Sequence, residues 1–266
     1  MYGDMMHKVN VPSQFVRTDL ILEQETNPVH KITHEKQPGI FVTNLKMKEG
    51  IYTTIEFQDI TDHSEYSKVE ECFMEEIQKV IHPRKEDTFL IVGLGNSKST
   101  PDSLGPKTLE EILVTRYLFL LGEVEDGFSN VSIFKPDVCG NTGIESVLLI
   151  KKVIQEIKPT KVILIDALKA SKLDRLVKII QITDTGIRPG SGIFNDQGEI
   201  SSHTVPCKVF AIGVPTVVDK NTMMGKDSSD NFMVTPTNID FLVNHLASLI
   251  GNSLNHVLHK SYFDKM

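Results

Sequence analysis

The stretch 89-FLIVGLGNSKSTPDSLGP-106 joins an uninterrupted apolar run to a loop of glycine, proline and polar residues. An apolar run of this length predicts a strand buried on both faces, as in a sheet covered by helices on both sides. Ligands of open α/β sheets bind beyond the carboxyl ends of the strands, which is where Asp102 follows this run. The stretch therefore predicts an α/β fold and a candidate site in the loop.

The rest of the chain continues this alternation. Apolar residues recur at helical spacing in 104–121 and 144–157, and strand-like runs fill 131–136, 161–166, 177–187 and 207–218. This order predicts a mostly parallel central sheet with helices on both faces. The segments 40–47 and 51–57 predict a hairpin that turns at Gly50, and residues 1–38, polar and broken by prolines, predict an arm.

Composition excludes several classes of protein. The chain has 266 residues and a formal net charge of −7, which argues against a dedicated nucleic-acid binder. No apolar run approaches the roughly 18 residues that span a bilayer, and the N-terminus lacks the apolar region of a secretory signal. Cys72, Cys139 and Cys207 are scattered and show neither metal-ligand spacing nor a disulfide framework. We expect a cytoplasmic protein without membrane partners.

Two acidic residues follow strands of the predicted sheet. Asp102 lies in the loop after the first strand of the alternating region, and Asp166 ends the strand 161–166. Two carboxylates at one partly buried rim cannot both ionise cheaply, so one holds a proton while the other activates water. Such a pair supports hydrolysis of an amide. An aspartate at a strand end is also a common turn former or helix cap, and both interpretations stay open.

Three loops are candidates for substrate binding. The first contains Gly93, Gly95 and Asn96 and matches neither the dinucleotide-binding nor the phosphate-binding glycine pattern. The second precedes a helix, so its free N–H groups either bind a carbonyl or an anion or simply begin that helix. The third has too many glycines for a simple turn and predicts a functional loop or flap. The candidates in the last two loops are Gly140, Asn141, Thr142, Gly143, Asp184, Gly190 and Gly192.

Other catalytic patterns find no support. The nine histidines include no H-E-x-x-H pattern, which argues against a zinc hydrolase. No G-x-S-x-G pattern is present, which argues against a serine nucleophile of the α/β-hydrolase type.

Taken together, several motifs resemble the germination proteases of spore-forming bacteria along nearly the whole chain. They are VRTDLILE (16–23), VGLGNSKSTPDSLGPK (92–107), LVTRYLF (113–119), DGFSNVSIFKPDVCGNTGIE (126–145), ILIDALKA (163–170), IQITDTGIRPGSG (180–192) and AIGVPTVVD (211–219).

The resemblance implies an atypical aspartic endopeptidase of the spore core that degrades small acid-soluble spore proteins at germination, without a cofactor. It implies a fold similar to that of hydrogenase maturation proteases. The family's two aspartates lie in its T-P-D-x-L-G-P and I-D-A-L motifs, which correspond here to Asp102 and Asp166. The three loops would then line the substrate groove.

The resemblance also implies an inactive tetrameric precursor that removes its own N-terminus. The family cuts after an acidic and before an apolar residue, which corresponds here to the bond between Asp19 and Leu20. We therefore expect residues 1–19 to be a propeptide arm and residues 20–266 to be a single peptidase domain. Small acid-soluble spore proteins are the expected partners.

The sequence departs from the family pattern in two places. Only residues 220–231 stand where the family carries a long charged insertion, and Asp137 and Cys139 replace a typical glycine and methionine. Asp137 could change the shape of its loop and raise the pKa of a neighbouring carboxyl. Two alternatives stay open: a metal-dependent peptidase with His203 or another histidine near the two aspartates, and a spore binding protein without proteolytic activity.

Overall fold

The computed structural model describes residues 19–24, 27–188, 198–219 and 232–264. Within these ranges nine strands form one sheet. They are β1 (His30–Gln37), β2 (Ile40–Lys46), β3 (Ile51–Glu56), β4 (Thr88–Gly93), β5 (Asn130–Phe134), β6 (Lys161–Ala170), β7 (Ile179–Thr183), β8 (Lys208–Asp219) and β9 (Met233–Val234).

The sheet is mixed, so the prediction of a mostly parallel sheet is wrong. Its order is β1-β2-β3-β7-β8-β6-β4-β5, and β9 pairs with β8. Only the β4–β5, β4–β6 and β6–β8 pairs are parallel. The connection between β6 and β7 is shorter than the dozen or so residues that a parallel crossover needs, so β7 runs antiparallel to β8 and joins the predicted β2–β3 hairpin to the sheet.

Helices cover both faces of the sheet, as predicted. They are α1 (His63–Ile81), α2 (Leu104–Glu111), α3 (Arg116–Leu121), α4 (Cys139–Thr142), α5 (Ser146–Ile157), α6 (Ile239–Leu258) and α7 (Lys260–Phe263). Alternate residues of β4 point to opposite faces: Phe89 and Ile91 pack in one core with α1, α2 and α6, while Leu90 and Val92 pack in another with α5. This two-sided burial explains the unbroken apolar run.

Two segments differ from their predicted structure. Residues 104–121 form α2 and α3 rather than one helix, because Ile112 is extended and the Leu113 N–H donates to Asn255 Oδ1 at 2.8 Å instead of continuing the helix. Residues 30–37, predicted as part of an arm, form the largely exposed edge strand β1. No helix in the described ranges is both long and apolar enough to cross a membrane.

Candidate active site

The loop after β4 folds back against the middle of β6. Because β6 continues to Ala170, Asp166 lies within this strand, and the prediction that it ends a strand at residue 166 is wrong. The Leu94 N–H donates to the carbonyl oxygen of Ile165 at 2.8 Å, directly before Asp166. The Asn96 N–H then donates at 2.9 Å both to the backbone carbonyl and to Oδ2 of Asp102. A 3₁₀ turn over Thr100–Asp102 leads into α2. The loop is thus held at both ends, and these contacts fix the position of the Asp102 carboxylate.

Glycine is required in this loop because backbone segments approach each other closely. Gly95 has φ +104°, and a Cβ there would overlap the carbonyl oxygen of Asp102 and lie 2.9 Å from its Oδ1. A Cβ at Gly105 would overlap the carbonyl oxygens of Leu94 and Ile165. These two glycines therefore bring the Asp102 loop into contact with β6.

The pKa values of both aspartates are raised, and the charge of Asp102 contributes to the rise at Asp166. Burial raises the pKa of Asp102 to about 6, a backbone hydrogen bond from Asn96 opposes the rise, and the charge of Asp137 adds to it. The pKa of Asp166 lies well above its ordinary value, first because of burial and then because of the charges of Asp102 and Asp19; a hydrogen bond from the Ala167 N–H opposes it. These effects favour the protonated form of Asp166, while most Asp102 is ionised at neutral pH.

The N-terminal segment Asp19–Gln24 lies along β6 next to this pair. Since β4 ends at Gly93, opposite Ile165, the edge of β6 beyond that point is open to another chain segment. Asp19 occupies it: its N–H donates to the carbonyl of Lys169, and its Oδ2 accepts from the Lys169 N–H, both at 2.9 Å. The peptide segment therefore continues the line of β4 past the two aspartates.

Leu20 fixes the position of this segment by burial. Its side chain is 1% exposed and packs with Leu168, Ala170 and Ile179. Full burial of a leucine contributes about 2 kcal/mol relative to exposure. An acidic residue bound to a strand edge is thus followed directly by an apolar residue in a fitted pocket.

Gln181 of β7 bridges the peptide bond between Asp19 and Leu20. Its Nε2 donates to the carbonyl oxygen of Asp19 at 3.4 Å, and its Oε1 accepts from the N–H of Ile21 at 2.8 Å. Gln181 is only 7% exposed, so neither group has free access to water. The side chain sets the orientation of that peptide bond.

Asn141 connects the loop after β5 to the loop of Asp102. Its Nδ2 donates to Asn96 Oδ1 at 3.1 Å and to Asp137 Oδ1 at 2.9 Å. Asp137 has φ +62°, a conformation that glycine adopts without cost, so this residue keeps a glycine-like backbone while adding a charge. That charge does raise the pKa of Asp102, as the sequence predicted.

The remaining predicted residues fall into three groups. Gly140 and Thr142 lie in the short helix α4, whose end is formed by Gly143 at φ +71°. Asp184 Oδ1 accepts from the N–H of Ile51 at 2.6 Å, which ties its loop to β3. Gly190 and Gly192 lie outside the described residues, as does the short segment 220–231.

A metal site finds no candidate in the part of the chain that the structure describes. There, no group of three or more histidine, cysteine, aspartate or glutamate side chains is arranged to hold an ion.

Comparison with known proteins identifies the family. The family model described as germination protease matches residues 10–230. The chain belongs to the germination protease family. A germination protease of Geobacillus sp. (strain WCH70) is 37% identical over 274 residues, which cover 91% of this chain and 71% of that relative. That of Bacillus thuringiensis subsp. konkukian (strain 97-27) is 38% identical over 269 residues, 91% of this chain and 70% of the relative.

Membership of the germination protease family makes this chain a peptidase, a hydrolase associated with spore germination. It also confirms the resemblance drawn from the motifs. The alternative of a binding protein without proteolytic activity has no support from these relatives, all of which are named as proteases.

Sequence reasoning missed three residues that contact the docked segment: Gln181, Ser171 and Arg175. Gln181 carried a usable signal, since it is the one polar side chain inside the apolar run 179-IIQI-182. Ser171 and Arg175 carried none, because 171-SKLDR-175 has the composition of an ordinary surface turn.

Proposed function

We propose that this chain is an aspartic-type endopeptidase that cuts small acid-soluble spore proteins in the spore core during germination. We further propose that it first removes its own arm by cutting between Asp19 and Leu20. One observation carries the proposal: two electrostatically coupled carboxyls lie at the strand edge on which an acidic and then a buried apolar residue are bound. We infer that the peptide bond between Asp19 and Leu20 comes within reach of this pair.

The two carboxyls would take opposite roles. Asp102, with a pKa of about 6, is mostly ionised at neutral pH and acts as the general base. Asp166, with its pKa well above the ordinary value, keeps its proton and acts as the general acid. The charges of Asp102 and Asp19 both favour this distribution, because each one opposes ionisation of Asp166.

The reaction would consume one water molecule. Asp102 takes a proton from the water as its oxygen bonds to the carbonyl carbon of Asp19. Asp166 donates its proton to the nitrogen of Leu20 as the C–N bond breaks, which leaves a carboxyl on one fragment and an amine on the other. Proton transfer from Asp102 back to Asp166, the weaker acid of the two, restores the starting state.

Gln181 would orient the scissile bond. Its amide group donates to the carbonyl oxygen of Asp19, which gains negative charge when water attacks. The loops at 93–96 and 140–143 and the residues 184–188 would line the groove. The family also supports a homotetrameric precursor, which size measurement in solution would test.

The test compares matched Asp→Asn variants of the full chain. Asp102→Asn and Asp166→Asn are each expected to slow self-processing and cleavage of a purified small acid-soluble spore protein by ~100-fold or more. Asp126→Asn, at an acidic side chain that is 90% exposed, is the control and should behave as the unaltered chain does. Circular dichroism checks that all three fold.

Two outcomes would overturn the proposal. Full activity of either site variant would remove that residue from the mechanism. N-terminal sequencing of processed protein should find Leu20 first, and a new terminus elsewhere would refute the proposed cut. Because the mechanism needs only two carboxyls and water, a chelator should leave the rate unchanged. Activity lost to a chelator and restored by a divalent cation would instead favour the metal-dependent alternative.

A further inference from the structure

A cationic pocket lies at the end of the sheet where β4, β6 and β8 begin. Lys161 starts β6 and lies five residues before Asp166, so the pocket is about 16 Å along the strand from the proposed acid. It is therefore separate from the site of peptide cleavage. The cavity has a volume of about 160 Å³ and is lined by His82, Arg84, Asp87, Thr160, Lys161 and Lys208.

The carboxylate that lines this pocket is already saturated with donors. Asp87 Oδ1 accepts from the hydroxyl of Thr160 at 2.9 Å. Its Oδ2 accepts from the backbone N–H of Arg84 at 2.7 Å and from Nζ of Lys161. Burial opposes ionisation of Asp87, but these donors outweigh it and lower the pKa of the carboxyl below its ordinary value. Asp87 thus neutralises Lys161 and has little capacity left for a second cation.

Two further cations of the pocket are not balanced by an acid. Neither the guanidinium of Arg84 nor the ammonium group of Lys208 forms an ion pair within residues 19–24, 27–188, 198–219 and 232–264. Lys208 is also the pairing partner of Lys161 on the neighbouring strand, where like charges repel and cost stability. The pocket therefore concentrates positive charge in a chain whose formal net charge is −7.

Lys161 has a hydrogen-bond donor to spare. Of its three N–H donors, one goes to Asp87 and one to the carbonyl oxygen of His82 at 2.7 Å. The third makes no hydrogen bond to any residue that the structure describes, although Lys161 is only 4% exposed. A buried donor without an acceptor is costly, and the cavity is far larger than the roughly 10–15 Å³ that one water needs. A ligand with several acceptor oxygens would satisfy this donor.

We propose that the cationic pocket binds a phosphate group, either as the free ion or at the end of a small phosphomonoester. A phosphate group carries a charge between about −1.5 and −2 at neutral pH and has acceptor oxygens on several sides. It can therefore accept from Lys161, Arg84 and Lys208 at once, whereas a single carboxylate offers less charge and fewer acceptors. The bound group joins the end of α1 to the starts of β6 and β8 and stabilises the folded chain by mass action.

Thermal unfolding of the full chain tests the pocket. Inorganic phosphate at about 10 mM should raise Tm by roughly 5 °C relative to sodium chloride of equal ionic strength. Lys208→Gln and Arg84→Gln each remove one of the two unbalanced cations and should abolish most of this shift. Lys85→Gln is the matched control, because it removes an equal charge next to Arg84 from a side chain that is 91% exposed and does not line the pocket. The control should keep the full shift.

Binding measurements separate a ligand site from a purely structural cluster. Without phosphate, Lys208→Gln should unfold at the same temperature as the unaltered chain or slightly above it, because repulsion from Lys161 is relieved. Titration calorimetry should show that this folded variant binds inorganic phosphate about 10-fold more weakly than the unaltered chain. Equal binding, or an equal rise in Tm in the unaltered chain and both pocket variants, would overturn the proposal.

Glycerol phosphate distinguishes the two sources of the group. If it gives the same variant-dependent shift in Tm as inorganic phosphate, the pocket accepts an esterified phosphate. If only inorganic phosphate gives the shift, the pocket takes the free ion, and a shift with neither compound refutes the phosphate site. Thermal unfolding requires no peptide cleavage, so these outcomes do not depend on the roles of Asp102 and Asp166.

Discussion

The N–H of Leu94 donates a 2.8 Å hydrogen bond to the carbonyl oxygen of Ile165, and this contact sets the loop of Asp102 against the residue before Asp166. This hydrogen bond lies one residue beyond the end of β4 at Gly93, where the chain begins its loop. The docked segment occupies the strand edge from Lys169 onward. The same edge of β6 thus contacts the loop of Asp102 first and the N-terminal segment second.

Gly95 is expected to be essential for activity out of proportion to its effect on stability. In Gly95→Ala the new methyl group overlaps the carbonyl of Asp102 and displaces its carboxyl, so self-processing should fall by ~100-fold. Gly39→Ala is the control, because Gly39 also has a positive φ but has open space around its Cβ position. Gly39→Ala should lose about 1 kcal/mol of unfolding free energy from backbone strain and keep its activity. Gly95→Ala should lose more, because its Cβ also overlaps a backbone oxygen, and it alone should lose activity. Equal rates in the two variants would contradict the role of the loop.

The rate of self-processing should rise with pH through about 6. Ionised Asp102 is the proposed base, and its pKa is about 6. At higher pH the rate should fall again as Asp166 loses its proton. In Asp137→Asn a neighbouring negative charge is gone, so the pKa of Asp102 falls and the rising limb moves to lower pH. A pH–rate profile of each variant checks this, with Asp126→Asn as the control. If the rising limb of Asp137→Asn stays at the same pH, the charge of Asp137 does not affect the pKa of Asp102.

The proposed catalytic carboxyls should lower the free energy of unfolding at neutral pH. The pKa of Asp102 rises from 3.8 to about 6 on folding, so between these values the native state binds more protons than the unfolded state. Its contribution to stability is therefore present below about pH 4 and is lost as pH rises through about 6. Asp102→Asn should raise the free energy of unfolding at pH 7 by about 3 kcal/mol, and the gain should vanish near pH 4. Denaturant unfolding at pH 4 and pH 7 tests the sign of this change in the free energy of unfolding.

Gln181 should affect the chemical step more than the fold. Gln181→Met keeps much of the volume but removes both hydrogen bonds to the docked segment, so self-processing should slow roughly 10-fold to 100-fold. Gln155→Met, at an exposed position on α5, provides the matched control. An unchanged rate in Gln181→Met would contradict this role. The backbone contacts of Asp19 alone would then orient the scissile bond.

Much of the fold was predictable because it depends on local pattern. The apolar run 89–92 predicted a strand buried on both faces, and Gly50 marked the hairpin between β2 and β3. The direction of β7 was not predictable in the same way. Its apolar residues suit either orientation, and only the short connection from β6 and the pairing with β3 fix it as antiparallel.

The candidate site was predictable in part. Asp102 and Asp166 could be named because both follow strands, and both contribute to one electrostatic pair in the structure. Asp184 stood in an equally suggestive loop, yet its carboxylate is bound to the N–H of Ile51 on a neighbouring strand. Sequence position alone cannot separate Asp102 from Asp184, because both are acids in a loop that follows an apolar strand.

The sequence by itself determined most of the strands and helices, the two acids at the ends of apolar runs, and the family that the chain resembles, since side-chain periodicity and motif order are properties of the chain. Only the tertiary structure decided that Asp19–Leu20 lies beside those acids and that Glu23 meets Ser171 and Arg175. These contacts join residues about 150 positions apart, and they form because β4 ends early and leaves the edge of β6 open. No local pattern encodes the length of one strand relative to its neighbour, so this open edge could be seen only in the assembled sheet.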